Sequence, residues 1–373
     1  METKETIIAE LGLTVSQSEI MYNLERLKTQ ADSLKEDDEQ KRFLKSEWLQ
    51  EWSGQIDAIF QKNAANDGRA ITWFSEADLY EAVSKEVSAA PNKMWYYLSV
   101  LEAEFFVPYF PLEVKEETGK NGKKKIIHSK KYKGIKWDKS EWLKEYIAAQ
   151  GIIEAEFIER IRKAYKKSHD RLTGRINKLI YTGLGMAAVT ALTFAVAALA
   201  APAIAVLLVG PQFAGLHGIA LINACLAFLG GGAIAVGGAG IAGGTALIAG
   251  GGAVLGLTVS AAGAGGAHAL GVFSNPDLAL SQTARLEVTM KEIILNSQHD
   301  TRLAQVILER MTETVKELNN RLIDLELDAK ANKDDIGNLK KCIDMFKKSR
   351  DEMLRFSSSF AEGTASEGES EAE

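Results

Sequence analysis

The sequence predicts a mainly α fold: long amphipathic and coiled-coil helices flank a Gly/Ala-rich apolar helical block of membrane-inserting character, with a small basic β-hairpin in the N-terminal domain. Three observations predict it. Between Lys178 and Asp277 lie 98 consecutive residues without Asp, Glu, Lys or Arg, where about 25 are expected at average charge density. Outside that run, apolar residues recur at three- and four-residue steps among charges, the period of a helix with one buried face. The C-terminal part carries a seven-residue apolar repeat. The boundaries follow from the charges: a helical domain at 1–178 with a basic hairpin at about 108–137, a charge-free block at 179–276, a long helix at 277–357 and an acidic tail at 358–373.

The chain opens "METKETIIAELGLTV", acidic at its start and without a basic region before a long apolar core. No cleavable signal is read there, and synthesis in the cytoplasm is expected. From Ser16 to about Ala64 the residues Ile20, Leu24, Leu27, Leu34, Phe43, Trp48, Ile56 and Phe60 mark an amphipathic helical stretch. A second helix is predicted from Ser75, a good N-cap for "SEADLYEAVSKEV", and a third after Pro91 through "NKMWYYLSVLEAEFF". Pro108 and Pro111 end it.

The segment "PYFPLEVKEETGKNGKKKIIHSKKYKGIKW" reads as a hairpin, with strands near Leu112 to Val114 and near Lys125 to Ile127 and a turn at Gly119, Asn121 and Gly122. Its far side is basic through Lys120, Lys123, Lys124, Lys125, Lys130, Lys131, Lys133 and Lys136. Two helices followed by a basic hairpin is the order of a winged helix. Three readings of the basic side stay open: a solvated face, a face on anionic lipid headgroups, or a contact to nucleic-acid phosphates. Glu113, Glu116 and Glu117 offset part of the charge and weaken the last.

From Trp142 to Lys178 the pattern is helical again and becomes basic just before the block, with Arg160, Arg162, Lys163, Lys166, Lys167, Arg171, Arg175 and Lys178. The other flank offers only Arg285 and Lys291. This asymmetry predicts a cytoplasmic N-terminal side. Arg171, Arg175 and Lys178 join the hairpin lysines as candidates for headgroup or phosphate contact.

A membrane helix needs about 20 apolar residues, so the block has room for as many as about four crossings. Its first segment, "IYTGLGMAAVTALTFAVAALAAPAIAVLLV", is apolar on every side. "GPQ" then turns the chain into "FAGLHGIALINACLAFL", where His217 and Asn223 are the strongly polar side chains. They are expected to face a partner helix or a wet path. Residues 230–271 hold 16 glycines in 42 positions. A G-x-G-x-x-G match at Gly238, Gly240 and Gly243 lacks the acidic residue about 20 positions on that a dinucleotide fold requires, since the next acid is Asp277. The glycines read instead as helix-packing faces: Gly240 with Gly244, and Gly252 with Gly256, sit four apart and expose bare backbone for close helix contact in lipid.

After Asn275 and Pro276 a long helix is predicted. Its seam runs through Leu308, Met311, Val315, Leu318, Leu322, Leu325, Ile336, Leu339, Ile343, Phe346 and Met353, broken only at Asn332 and Arg350. At about 1.5 Å per residue the stretch from 308 to 353 would be a rod of roughly 70 Å. Its partner is a second copy, the Ser16 to Ala64 stretch, or another protein. The tail "SFAEGTASEGESEAE" carries five Glu and no base, a composition expected to stay disordered.

Neither a catalytic site, a cofactor site nor a metal site is predicted. The two cysteines, Cys225 and Cys342, and the five histidines are dispersed, and no phosphate loop, G-x-S-x-G or H-E-x-x-H occurs. Long helices carrying an inserted apolar Gly/Ala-rich segment resemble, in architecture, α-helical pore-forming proteins of the ClyA toxin type. The resemblance implies a rod that oligomerises while the apolar head enters the bilayer, although the block here exceeds the single apolar hairpin usual in that class. The expectation is a membrane-located homo-oligomer acting on an anionic bilayer as a toxin or defence effector, soluble before insertion. The alternative is a permanently anchored scaffold whose helical domains bind a cytoplasmic partner.

Overall fold

The computed structural model describes residues 13–62, 69–109, 112, 114–118, 124–128, 131–138, 140–173, 276–327, 329–330 and 333–370. They are mainly helical. Helix α1 (Val15–Leu34) begins in a capping box, Thr14 accepting from the Gln17 amide at 3.2 Å while Gln17 accepts from the Thr14 amide at 3.0 Å, which satisfies two amides that the helix itself leaves open. The single helical stretch expected up to Ala64 is divided. Asp38 accepts from the amides of Gln40 (3.0 Å) and Lys41 (3.1 Å) and starts a new helix, α2 (Glu39–Lys62), so the charge run at 35–38 is a turn.

Packing α2 back on α1 closes an aromatic cluster. Trp48 stacks on Trp52 at 6.0 Å, and Tyr22 meets Trp52 and Phe60 edge-on at 6.2 and 5.9 Å. Helix α3 (Glu76–Ala89) starts at Ser75 in a second capping box with Asp78, as the sequence predicts. Helix α4 (Met94–Phe105) is the centre of the N-terminal portion, buried on every side from Met94 to Ala103. After it, β1 (Val114–Thr118) pairs antiparallel with β2 (Lys124–His128), Val114 opposite His128 and Thr118 opposite Lys124. Leu112, expected at the start of the first strand, is instead buried outside the ribbon.

The expected helix from Trp142 is also two helices, α5 (Trp142–Gln150) and α6 (Phe157–Thr173). Gly151 ends the first at φ +65°, a left-handed conformation that glycine adopts without steric cost. Beyond the undescribed stretch, α7 (Pro276–Val288) runs into a π-helical turn, Thr289–Leu295, whose Thr289, Met290, Ile293, Ile294 and Leu295 are buried. Asp300 then caps α8 (Thr301–Glu326), and α9 (Lys333–Ser370) follows.

The C-terminal reading needs three corrections. The heptad stretch is not one rod: α8 ends at Glu326, α9 starts at Lys333 and folds back along α8, and between them the pattern has only Ala329 and Asn332 to offer a partner. Its seam is nonetheless interior, with Leu308, Met311, Val315, Leu318, Leu325, Leu339, Ile343, Phe346 and Met353 buried and Leu322 and Ile336 partly buried. The partner of the repeat is therefore its own second half. Finally, α9 continues to Ser370 through most of the expected disordered tail. Phe356 and Phe360 extend the apolar spacing of Met353 and pack on the core, and Phe360 stacks on His299 at 6.0 Å.

The regions on either side of the block do not form separate cores. One continuous cluster takes in Leu13 to Ile161 and Leu286 to Met353. Among the described residues no helix is long and apolar enough to cross a membrane. The block itself, apart from Pro276, lies outside the described residues, and so do Gly240, Gly244, Gly252, Gly256, His217 and Asn223.

Candidate functional site

The two helices that border the block lie against each other. Helix α6 has a sharply divided surface: Phe157, Ile158, Ile161, Ser168 and Leu172 are buried, while Lys163, Lys166 and Lys167, at spacings of three and four, are exposed on the opposite face. Near its C-terminal end Leu172 packs with Leu280 and Ala284 of α7. Arg171 pairs with Glu287, whose side chain has no exposed surface, and its guanidinium also donates to the Lys348 carbonyl at 3.3 Å. At the other end of α6, Arg160 meets Glu292 at 3.3 Å and donates to the Ser297 hydroxyl at 3.1 Å. Moving back along α6 thus moves forward along α7 and the π-helical turn. The pair is antiparallel, and Thr173 and Pro276 share one end of it.

A buried charge cluster fixes α7 to the body. Arg285 donates to Glu102 of α4 at 2.7 Å and to the Phe105 carbonyl at 3.1 Å, with both paired side chains almost wholly buried. Lys28 of α1 donates to the carbonyls of Ala103 (2.6 Å), Glu104 (2.7 Å) and Phe106 (3.1 Å). These are carbonyls that the end of α4 leaves open, and a cation there also complements the helix dipole. Between them lies Glu25, fully buried, with neither carboxylate oxygen hydrogen-bonded. Burial, and then the neighbouring Glu102, raise the Glu25 carboxyl well above the usual range. Burial likewise pushes Glu102 up to about 8 against the opposing pull of Arg285, and pushes Lys28 down to about 8.

A second polar hub holds the loops that carry the strand pair. Lys45 of α2, buried, contacts Asp32 (2.9 Å), Glu36 (3.0 Å) and Asp138 (3.3 Å). Asp32 also accepts from the Tyr109 hydroxyl at 2.7 Å and from the Asp138 amide at 3.0 Å. Burial acts to lower the Lys45 value, but the hydrogen bonds to Asp32 and Glu36 leave it raised overall.

Two candidate headgroup ligands are otherwise engaged. Lys131 is paired with Glu47 (3.1 Å) and Glu51 and lies over the Tyr132 ring, and Arg171 is the partner of Glu287. Each is drawn in by carboxylates distant in sequence, which residue spacing does not disclose. Lys124 and Lys125 lie on β2, opposite Thr118 and Glu117, while Lys123, Lys130, Arg175 and Lys178 lie outside the described residues. On the far flank Arg285 and Lys291 are tied to Glu102 and Glu352. Sequence reasoning passed over Glu25, Lys28, Lys45, Glu102 and Arg285 as site residues. None of them stands out in the chain: even Glu102 shares its run, "MWYYLSVLEAEFF", with Glu104. Among the described residues no group of three or more His, Cys, Asp or Glu is placed to hold a metal ion. The chain matches no protein-family model, no curated protein and no solved structure.

Proposed function

We propose that this protein is a membrane-inserting helical protein whose body presents residues 179–276 to an anionic bilayer, where the block enters, oligomerises and perforates or depolarises it as a toxin or defence effector. The observation that carries the reading is the 98-residue run without Asp, Glu, Lys or Arg. A soluble domain of that length normally carries about 25 charges, and the run has room for several spans of about 20 residues. The exposed Lys163, Lys166 and Lys167 on the helix leading into it suit an anionic surface. Gly240 with Gly244, and Gly252 with Gly256, would supply the close helix contacts of an assembly within lipid.

A second reading is a permanent anchor that displays the helical body to a cytoplasmic protein partner. It is favoured by the lack of Asp, Glu, Lys and Arg in the block, which leaves His217 and His268 as its only members of the residue types that conducting paths generally use. Dye release from vesicles, run beside flotation on anionic and neutral lipid, separates the two. Release from floating vesicles supports perforation. Flotation without release supports the anchor, and absence of both counts against either membrane role.

A further inference from the structure

The antiparallel α6–α7 pair constrains how the block could enter a bilayer. Leu172 on Leu280 and Ala284, and Arg171 on buried Glu287, place the last residue before the undescribed stretch and the first after it at one end of the pair. Helix α7 is also held to α4 by Arg285 on Glu102, and the π-helical turn after it shares the core of the N-terminal portion. An odd number of crossings would put Thr173 and Pro276 on opposite faces of a hydrocarbon layer about 30 Å thick. It would pull α7 from α6, expose Leu280 and Ala284, and strand Glu287 and Glu102 without their arginines. An even number disturbs none of these contacts.

Resting on the membrane reading above, we infer that the two portions flanking residues 179–276 stay together on the entry side of the bilayer as one folded body. The basic residues of the far flank are internal to that body, Arg285 as the partner of Glu102 and Lys291 as the partner of Glu352. The lysine face of α6 and the start of α7 are then both next to the leaflet of entry.

The test uses full-length protein in a Cys225→Ser, Cys342→Ala background, with one exposed reporter at a time, Lys85→Cys in α3 or Glu309→Cys in α8. Each is added to vesicles of phosphatidylcholine and phosphatidylglycerol, and the fraction that floats and resists alkaline carbonate is treated with a maleimide on a polymer too bulky to pass a small lesion. Both reporters should label fully from outside, with no gain on adding detergent. Labelling of Lys85→Cys from outside, with Glu309→Cys reached only after detergent, overturns the shared-side topology while leaving insertion intact. A protein that fails to float, or that carbonate strips away, overturns the membrane reading and the topology with it.

Discussion

Arg285 and Glu102 meet at 2.7 Å across 183 residues of sequence, inside the core and bridging the two flanks of the charge-free block. Removing the arginine leaves the buried Glu102 carboxyl without its hydrogen-bond partner. Arg285→Met is therefore expected to cost about 3–5 kcal/mol, whereas Arg285→Met with Glu102→Leu should recover most of the loss. Urea unfolding of the single and double variants checks this, and equal losses in both would mean that the charges are not what couples the two sites.

The buried Glu25 carboxyl implies a pH dependence of stability whose sign follows from its burial. The carboxyl is raised in the folded state, so above the unfolded value of about 4.3 the unfolded chain gives up a proton that the folded chain keeps. Its stabilising contribution is complete below that value and is lost as pH rises toward the folded value. Glu102, pushed up to about 8, acts in the same direction, and Lys28, lowered to about 8, reverses the slope only above that pH. Glu25→Gln should flatten the fall in stability as pH rises above the unfolded value of about 4.3, by up to about 1.4 kcal/mol per pH unit. Unfolding free energies measured across that window should diverge between wild type and variant. Parallel curves would show that Glu25 ionises normally in the fold.

Arg171 pairs with Glu287, whose side chain is fully buried. Arg171→Ala should destabilise by about 3 kcal/mol and speed amide exchange in α7 ahead of the rest of the chain. Adding Glu287→Gln should restore part of the loss. Exchange rates in 276–288 that do not change would remove the α6–α7 pair as a clamp.

Local patterns were readable wherever a short-range rule acts alone. Ser75 with Asp78 gives its cap from four residues, and the apolar run after Pro91 gives α4 its burial. The breaks were not readable from periodicity, because Asp38, Gly151 and the end of α8 at Glu326 interrupt stretches whose spacing continues on both sides. Turn chemistry was present at each but was outweighed by the repeat. The charge cluster was still less legible. Glu25, Glu102 and Arg285 come from three helices, and in the chain they look like ordinary solvated charges; only their meeting gives them a role. For the block, the signal is compositional and complete in the sequence itself.

The heptad seam offers a test of what the repeat is for. Met311 on α8 and Phe346 on α9 have no exposed surface, so Met311→Ala should cost about 2–5 kcal/mol and Phe346→Ala about 3–5 kcal/mol. Leu327→Ala, at a residue 85% exposed, should stay within about 0.5 kcal/mol. Because α8 and α9 satisfy each other, the molar mass by light scattering should not change in any of the three. A fall in mass together with stability would make the seam an interface between copies.

The whole chain has a formal charge of -6, so attraction to an anionic leaflet must come from a local face rather than from net charge. Lys163, Lys166 and Lys167 form such a face on α6, pointing away from its buried side. Each lysine near an anionic surface contributes about 1 kcal/mol, so replacing all three with Gln should weaken binding to phosphatidylglycerol-containing vesicles by on the order of 100-fold. The substitutions touch exposed positions, which should hold folding stability within about 0.5 kcal/mol. Two controls separate charge from incidental damage. On neutral vesicles the variant and wild type should bind alike, and on anionic vesicles their difference should shrink as salt shortens the screening length from about 10 Å at 0.1 M. Equal flotation on anionic lipid at low salt would show that α6 does not face the membrane, and would leave apolar insertion as the sole source of affinity.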